Sequence, residues 1–215
     1  MDKNAVILGV CGIIVVLIGI VTYGVVNAPV YRTQSVAPDY LLNPVQTKLE
    51  HPLNLTLPIG NETYGMAALA EYDISGYLVS KRRYRKGFMH DLSPWDYALA
   101  WGQVPSQMEY LKFDQIVRFC LFSYQPGAPV DPSYIYEHMA NMHLIPATEN
   151  IRKALRKGRK GSSINLKGYL VNVYRNSNMT GGSVWQSSMS RSDTGNGACE
   201  VMYVNSLQID DRVYR

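Results

Sequence analysis

The chain has 215 residues, with 21 basic and 17 acidic side chains and a formal net charge of +4. Nucleic-acid-binding domains are usually more strongly basic, so this composition makes nucleic acid an unlikely partner. A chain of this length is long enough to bury one hydrophobic core, and one folded domain is expected.

The first element in chain order is an apolar segment from Ala5 to Val26, which contains no charged residue. A helix rises about 1.5 Å per residue, so this segment would extend roughly 33 Å, enough to cross a bilayer core. A buried core helix is the alternative, but no polar stripe interrupts the segment. The exit at Val26-Asn27-Ala28 is a poor cleavage site, so residues 1–27 are predicted to be an uncleaved transmembrane anchor.

The next segment, residues 28–65, is predicted to be an extended, proline-rich tether that lies over a partner or over the domain. Proline fixes φ and donates no backbone hydrogen bond, and no helical or strand period lasts here. The prolines are Pro29, Pro38, Pro44, Pro52 and Pro58. Residues 66–215 then form the folded domain. Large domains that follow such an anchor are commonly exported, so the predicted location is the inner (cytoplasmic) membrane, single-pass, with the C-terminal domain in the periplasm.

The first half of the domain is predicted as strand, helix and strand. "YDISGYLVSKRRY" is β-rich and alternates loosely, which is typical of a strand. "SPWDYALAWGQV" predicts a helix, with Ser93 as N-cap, Pro94 at the first helical position and Gly102 at its end. "FDQIVRFCLFSYQ" predicts one strand with Arg118 and Cys120 on the same face.

The second half is predicted as a proline-containing loop, a strand, a helix and three strands. "NMHLIPA" is the strand, and "TENIRKALRKGRKG" is the helix, capped by Thr148 and ended by Gly158. Ile151 and Leu155 are expected to face inward. The three last strands are "SINLKGYLVNVYR", "SVWQSSMSR" and "CEVMYVNSLQI".

The sequence Gly-Tyr-Leu-Val occurs twice, at Gly76 and at Gly168. The flanking residues differ, so we do not interpret the pair as a duplication. Glycine inside a β-rich segment permits a bulge or a close backbone approach, as in small curved barrels. The predicted fold class is therefore α+β: an N-terminal transmembrane helix followed by a mostly antiparallel, OB-like β half-barrel with two helices.

Four motifs in this order carry a resemblance to a family. They are "SPWDYALAWG", "NMHLIPA", "LKGYLV" and "SSMSRSDTGNGACEVMYV". The chain resembles an uncharacterised family of small bacterial membrane-anchored proteins, over about residues 72–209. The resemblance implies a bacterial envelope protein with an exported domain. It implies no chemistry.

Two alternatives for catalysis or metal binding follow from residue types alone. Cys199, His143 and Asp193 supply the thiol, base and orienting group that a nucleophilic enzyme needs. His138, His143 and Glu200 are possible zinc ligands. No established nucleophile, phosphate-binding or zinc motif occurs, so no catalytic, cofactor or metal site is assigned. "SRSDTGNGACE" is instead expected to be a hydrogen-bonded turn built on Asp193 and its glycines.

Two further features concern cysteines and charge. Cys120 and Cys199 are candidates for one disulfide, with two buried thiols as the alternative. Two basic runs are candidate sites for binding a membrane surface, anionic lipid or a partner protein. Their residues are Lys81, Arg82, Arg83, Arg85, Lys86, Arg152, Lys153, Arg156 and Lys157.

The sequence therefore predicts a membrane-anchored periplasmic accessory or assembly subunit that docks on another envelope or membrane-complex component. The sequence favours binding over catalysis. The alternative is an envelope hydrolase that uses Cys199 with His143, or a His-bound metal.

Overall fold

The computed structural model describes residues 3–190 and 199–215, with side chains of the first helix described for residues 13–25. The chain divides into two compact units, Met1–Val30 and Tyr31–Arg215. The first unit contains helix α1 (Lys3–Val26). The second unit contains all of the strands named below, and each unit is described by itself.

The predicted transmembrane anchor is wrong. Within the part of the chain that the structure describes, no helix combines the length and the apolar character that a bilayer crossing requires. The prediction of a single-pass inner-membrane protein with a periplasmic domain rested on that anchor, so it is wrong as well.

The second unit is mostly β, and the α+β class is therefore a wrong prediction. Its strands are β1 (Arg32–Thr33), β2 (Val45–Ile59), β3 (Glu62–Arg83), β4 (Trp95–Ala100), β5 (Leu111–Ile116), β6 (Phe119–Tyr124), β7 (Met139–Pro146), β8 (Ser163–Tyr174), β9 (Glu200–Ile209) and β10 (Arg212–Tyr214). Two one-to-two-turn helices, α2 (Pro132–Glu137) and α3 (Glu149–Ala154), lie between strands, and a short 3-10 helix spans Val104–Gln107.

Five strands close into a ring. The neighbours run β3-β4-β7-β9, and β8 pairs with both β9 and β3, which joins the two ends. The β7–β9 pair is parallel, and the other pairs of the ring are antiparallel. The structure therefore has a closed ring where the sequence predicted a half-barrel. Strands β2, β1 and β10 extend the same sheet, and β5 and β6 form a separate hairpin.

The largest hydrophobic cluster receives side chains from all five strands of the ring, so it fills the interior. Its members include Ile74, Leu78, Tyr97, Leu99, Met142, Leu144, Leu166, Leu170, Met202 and Val204. Ile151 and Leu155, at the end of α3, belong to the same cluster, as the sequence predicts. A second cluster, which contains Ile145 and Val201, packs on the outer face.

The predicted extended tether contains a strand of fifteen residues, β2, which pairs with β3 of the domain. Proline is tolerated because β2 pairs only with β3 and is the edge of the sheet. Pro52 lies in the register shift between Lys48 and Leu53, and Pro58 lies near the end of the strand. Single-sequence periodicity misses such a strand because its side chains are mostly exposed.

The predicted helix over "SPWDYALAWGQV" is also wrong, because this segment forms β4. Strand β4 pairs with β3 on one side and with β7 on the other. Five of its six residues are buried, since one face points into the ring and the other is covered from outside. A strand that is buried on both faces shows no polar alternation, so its pattern does not differ from that of a buried helix.

The predicted single strand over "FDQIVRFCLFSYQ" is two strands, β5 and β6, joined by a two-residue turn at Val117 and Arg118. The turn is missed because neither residue is a usual turn residue. "SVWQSSMSR" does not form the predicted strand in its described part, where Trp185 makes one isolated bridge to Val173.

Other predictions are confirmed. Strands occur at "YDISGYLVSKRRY", "NMHLIPA", "SINLKGYLVNVYR" and "CEVMYVNSLQI". The Thr148 hydroxyl caps α3 by accepting from the backbone N–H of Ile151 at 3.2 Å. The glycine in the second Gly-Tyr-Leu-Val, Gly168, adjoins a register shift, and a Cβ there would overlap the carbonyl oxygen of Tyr203.

Candidate functional site

A row of polar side chains crosses the outer face of the ring. The strand register pairs Arg82 with Asp96, and Asp96 with His143. Paired residues of neighbouring strands point to the same face, so three distant segments place a cation, a carboxylate and an imidazole side by side. Their neighbours in β4, Tyr97 and Leu99, point into the ring instead.

Asp96 is fully buried at the centre of this row and has two basic neighbours. Its Oδ1 accepts a hydrogen bond from Arg118 Nη1 at 2.8 Å. The same oxygen lies 3.0 Å from His143 Nδ1, but the N–H does not point at it well enough for a hydrogen bond, so that contact is electrostatic. Oδ2 has no hydrogen-bond partner in the described residues. A buried carboxylate in this state is costly, and such costs concentrate at functional sites.

Arg118 is fixed by three acceptors. In addition to Asp96, its Nη2 donates to the carbonyl oxygens of Phe88 at 3.0 Å and Ser93 at 2.9 Å. Its guanidinium lies 4.1 Å from the ring centroid of Tyr84 and 5.1 Å from that of Trp185. A planar guanidinium is suited to stack on aromatic rings while its N–H groups bond in plane.

The turn that presents Arg118 has an unusual backbone. Val117 has φ of 46° and Arg118 has φ of 64°, a left-handed conformation in which Asn and Gly are the preferred residues. A β-branched residue there is strained, and Val117 is 75% exposed, so its own burial does not compensate. Contacts of Arg118 offset this strain: those of its side chain, and the hydrogen bonds of its backbone to Tyr84 and Asn141.

Aromatic rings cover this polar row. The Trp185 ring lies 4.7 Å from the His143 ring, and Phe88 meets Trp185 edge to face at 5.3 Å. Burial, followed by the negative charge of Asp96, raises the pKa of Tyr84 to about 12. The Tyr84 hydroxyl therefore stays protonated at neutral pH, and the backbone N–H of Arg118 donates to its oxygen at 3.0 Å.

The space between these groups is a cavity of about 730 Å³, which we call the Arg118 pocket. Its lining includes Arg82, Tyr84, Lys86, Phe88, Arg118, Phe119, His143, Trp185 and Cys199. Cations, aromatic rings and one imidazole thus converge on one concave surface.

A different surface lies on the other side of the end of β3. The Lys81 ammonium donates to the carbonyl oxygens of Arg156 at 3.0 Å and Gly158 at 2.8 Å, just after α3. It also lies 4.2 Å above the Trp95 ring, and the Arg83 guanidinium lies 5.6 Å from that ring. Burial lowers the pKa of Lys81 to about 8.

Lys81 therefore joins the two basic runs of the sequence into one surface, which we call the basic face. It is formed by Lys81, Arg83, Trp95, Arg156 and Lys157. Arg83, Arg156 and Lys157 are exposed, and none has an ion pair with a carboxylate that the structure describes.

No family model, curated protein or solved structure matches this chain. The resemblance to a family of small bacterial proteins accordingly stays a prediction.

The structure separates the predicted basic residues into groups. Arg82 and Lys86 line the Arg118 pocket. Arg152 instead donates to the Asp91 carbonyl oxygen at 3.0 Å and lies 3.5 Å from Glu149, so its role is structural. Arg85 is exposed and Lys153 is half-buried.

The predicted thiol site is partly assembled. His143 and Cys199 line the same pocket, but His143 contacts Asp96, while the Cys199 sulfur lies 3.7 Å from Asn141 Nδ2 and from the Arg118 carbonyl oxygen. Asp193, the predicted orienting group and turn residue, lies outside the described residues.

The structure does not bring the predicted metal ligands together. His138 ends α2 and stacks on Tyr134 with centroids 3.7 Å apart, whereas His143 lies in β7 and contacts Asp96. Glu200 pairs with Met142, the neighbour of His143, and so points to the other face. Among the described residues, no three His, Cys, Asp or Glu side chains are placed to hold a metal ion.

The two disulfide candidates are free thiols in the structure. Cys120 lies two residues after Arg118, and Cys199 contacts the Arg118 carbonyl oxygen, so both adjoin the same turn. Burial, and then the neighbouring Cys199, raises the pKa of Cys120 to about 12.

Sequence reasoning missed Asp96, Trp185 and the role of Arg118. One signal was present: Asp96 is the single acid inside the otherwise apolar segment that follows Pro94. A helix can place a single acid on its solvent-exposed face. The predicted helix therefore gave no reason to expect that Asp96 is buried.

Proposed function

We propose that this domain is a non-enzymatic docking module, which binds an acidic segment of a partner protein through the basic face. The single observation that supports the proposal is the bridge made by Lys81. It brings two basic runs, separated by about seventy residues of chain, to one exposed surface. Such a surface attracts carboxylates and speeds their encounter.

Protein carboxylates fit the basic face better than nucleic-acid bases do. Binding of single strands relies on open aromatic rings on which bases stack. Trp95 is half-buried, and Lys81 and Arg83 lie against its ring. The ring is thus already in contact with two cations, which makes it less accessible to a base.

A peptide of eight glutamates, labelled with fluorescein, tests the proposal by fluorescence anisotropy with the full chain. We expect salt-dependent binding that falls at least tenfold in the double variant Arg83→Glu/Lys157→Glu. The matched control, Lys48→Glu/Arg175→Glu, changes the charge equally at exposed positions elsewhere and should bind as the original chain does.

Two competitors distinguish other partners. Single-stranded oligo-dT and vesicles with anionic lipid are offered under the same salt conditions. Tighter binding of either one than of the glutamate peptide, with the same loss in the double variant, would overturn the acidic-protein assignment. Equal peptide binding by both double variants would show that the basic face is not the binding site.

The hydrolase alternative stays a prediction, because no described contact joins Cys199 to His143. The variants Cys199→Ala and His143→Ala test it. Under the docking proposal both keep peptide binding by the basic face. An ester- or thioester-hydrolysing activity that either change abolishes without unfolding would favour the hydrolase.

A further inference from the structure

The Arg118 pocket lies apart from the basic face, because consecutive side chains of β3 point to opposite sides of the strand. Arg82 and Tyr84 line the pocket, whereas Lys81 and Arg83 contact Trp95. The pocket and the basic face are therefore separate surfaces, and a ligand can bind to one of them whether or not the other is occupied.

The size of the pocket matches that of a small-molecule site. Its volume of about 730 Å³ lies within the usual range of roughly 300–1,000 Å³. Small-molecule sites combine apolar and aromatic walls with a few fixed polar groups, and this pocket has both.

The aromatic wall offers a place for a planar ring. Phe88 is 52% exposed at the mouth, although it meets Trp185 edge to face. Trp185 also lies close to the His143 ring and to the Arg118 guanidinium. A ligand ring that enters the pocket beside Phe88 and Trp185 would gain aromatic contact area.

The charge of the pocket favours an anionic group. Asp96 is already engaged with Arg118, so its charge does not neutralise the other cations. Arg82 and Lys86 are exposed, line the pocket and have no ion pair with a described carboxylate. Arginine and lysine in such a site bind phosphate and carboxylate groups.

His143 supplies a polar group at the base of the pocket. Its side chain is 5% exposed, and its Nδ1 faces Asp96. The ring also lines the pocket, so a ring nitrogen of His143 can exchange a hydrogen bond with a polar group of a ligand.

From these observations we propose that the Arg118 pocket binds a planar aromatic molecule that carries a phosphate or carboxylate group, as a nucleoside monophosphate or an aryl carboxylate does. The ring packs against Phe88 and Trp185. The anionic group meets Arg82 and Lys86, and a polar group of the ligand reaches His143.

Isothermal titration calorimetry of the full chain with four probes tests this proposal. Adenosine 5′-monophosphate and 1-naphthoate carry both a ring and an anion, adenosine carries only the ring, and inorganic phosphate carries only the anion. We expect one of the first two to bind at least tenfold more tightly than adenosine and phosphate. The tighter of the two indicates whether the ligand resembles a nucleotide or an aryl carboxylate.

Variants connect binding to the pocket. Lys86→Ala and Trp185→Ala should each weaken the tighter probe at least fivefold, and Trp185→Phe should restore most of the affinity because it keeps a ring. The matched control Lys160→Ala removes an exposed cation outside the pocket and should change nothing. Unfolding midpoints confirm that each variant is folded.

Two results would overturn the proposal. One is that neither ring-bearing anion binds at 1 mM. The other is that the tighter probe binds equally well to the original chain, to Lys86→Ala and to folded Trp185→Ala.

Discussion

The Arg118 pocket and the basic face lie on opposite sides of β3 near its end, and they stabilise their cations in different ways. On the pocket side, Arg118 is paired with the buried carboxylate of Asp96. On the basic face, Lys81 is held by backbone carbonyl oxygens and by Trp95, without a carboxylate. Arg82 lines the Arg118 pocket, whereas its neighbours Lys81 and Arg83 lie at Trp95, so a run of cations in a strand is not one surface.

The largest effect is expected from removing the pocket-side cation. Arg118→Met leaves Asp96 as an uncompensated buried charge, which typically costs about 3–5 kcal/mol. Urea unfolding at pH 7 measures the loss. The comparison is Arg83→Met on the basic face, where a surface change of about 0.5 kcal/mol or less is expected.

A second variant separates the lost pairing from lost packing. Adding Asp96→Asn to Arg118→Met removes the stranded charge, so part of the stability should return. If the double variant is as unstable as the single one, charge pairing does not explain the cost on the pocket side.

The strained turn predicts a gain of stability on the pocket side. Asn adopts the left-handed conformation more readily than a β-branched residue, so Val117→Asn should stabilise the domain by about 1 kcal/mol. Thermal or urea unfolding measures the gain. Val36→Asn is the control, since Val36 is also exposed but has no positive φ, and no gain is expected there.

Lys81 should contribute less than Arg118 does. Lys81→Met keeps the aliphatic contact with Trp95 and removes two hydrogen bonds from a partly solvated ammonium, so we expect a loss of about 1 kcal/mol or less. Peptide binding, which depends on the bridge between the basic runs, should be more sensitive to this change than stability is. Binding of the glutamate peptide should fall although the domain remains folded, and a stability loss as large as that of Arg118→Met would contradict the comparison.

The same residue also predicts a pH dependence. Burial lowers the pKa of Lys81 from its ordinary 10.5 to about 8 in the folded chain. Between these two values the unfolded chain binds more protons, so stability contributed by this residue rises as pH increases from about 8 to about 10. Below pH 8 the residue is protonated in both states and the contribution is constant.

The difference in unfolding midpoint between the original chain and Lys81→Met isolates this dependence from the tyrosines that titrate nearby. It should shift in favour of the original chain as pH rises through this window. A difference that stays constant from pH 7 to pH 10 would show that the ammonium is not desolvated.

The sequence predicted correctly the elements whose conformation is indicated by local signals. Strand β3 and helix α3 were found because β-rich alternation and the Thr148 cap are local signals. Strand β4 was predicted as a helix because pairing on both sides, which the chain alone does not display, decides its conformation. The hairpin turn at Val117 was missed because tertiary contacts of its neighbour, rather than turn propensity, maintain it.

The candidate site was predictable only in part. His143 and Cys199 were named as chemically capable residues, and the structure places both in the pocket. Their partners come from strand register: Asp96 faces His143 across β4 and β7, although the two are distant in sequence. A single sequence contains no signal for such a pairing.

The prolines of β2 have a consequence for the behaviour of many copies of this chain. A long outer strand with free backbone groups is a template for pairing with the same strand of another molecule. Pro52 and Pro58 remove two donors from that row, and the irregularity after Lys48 bends it. At the opposite edge of the sheet, β1 has only two residues. Neither edge therefore favours pairing of strands between copies of this chain.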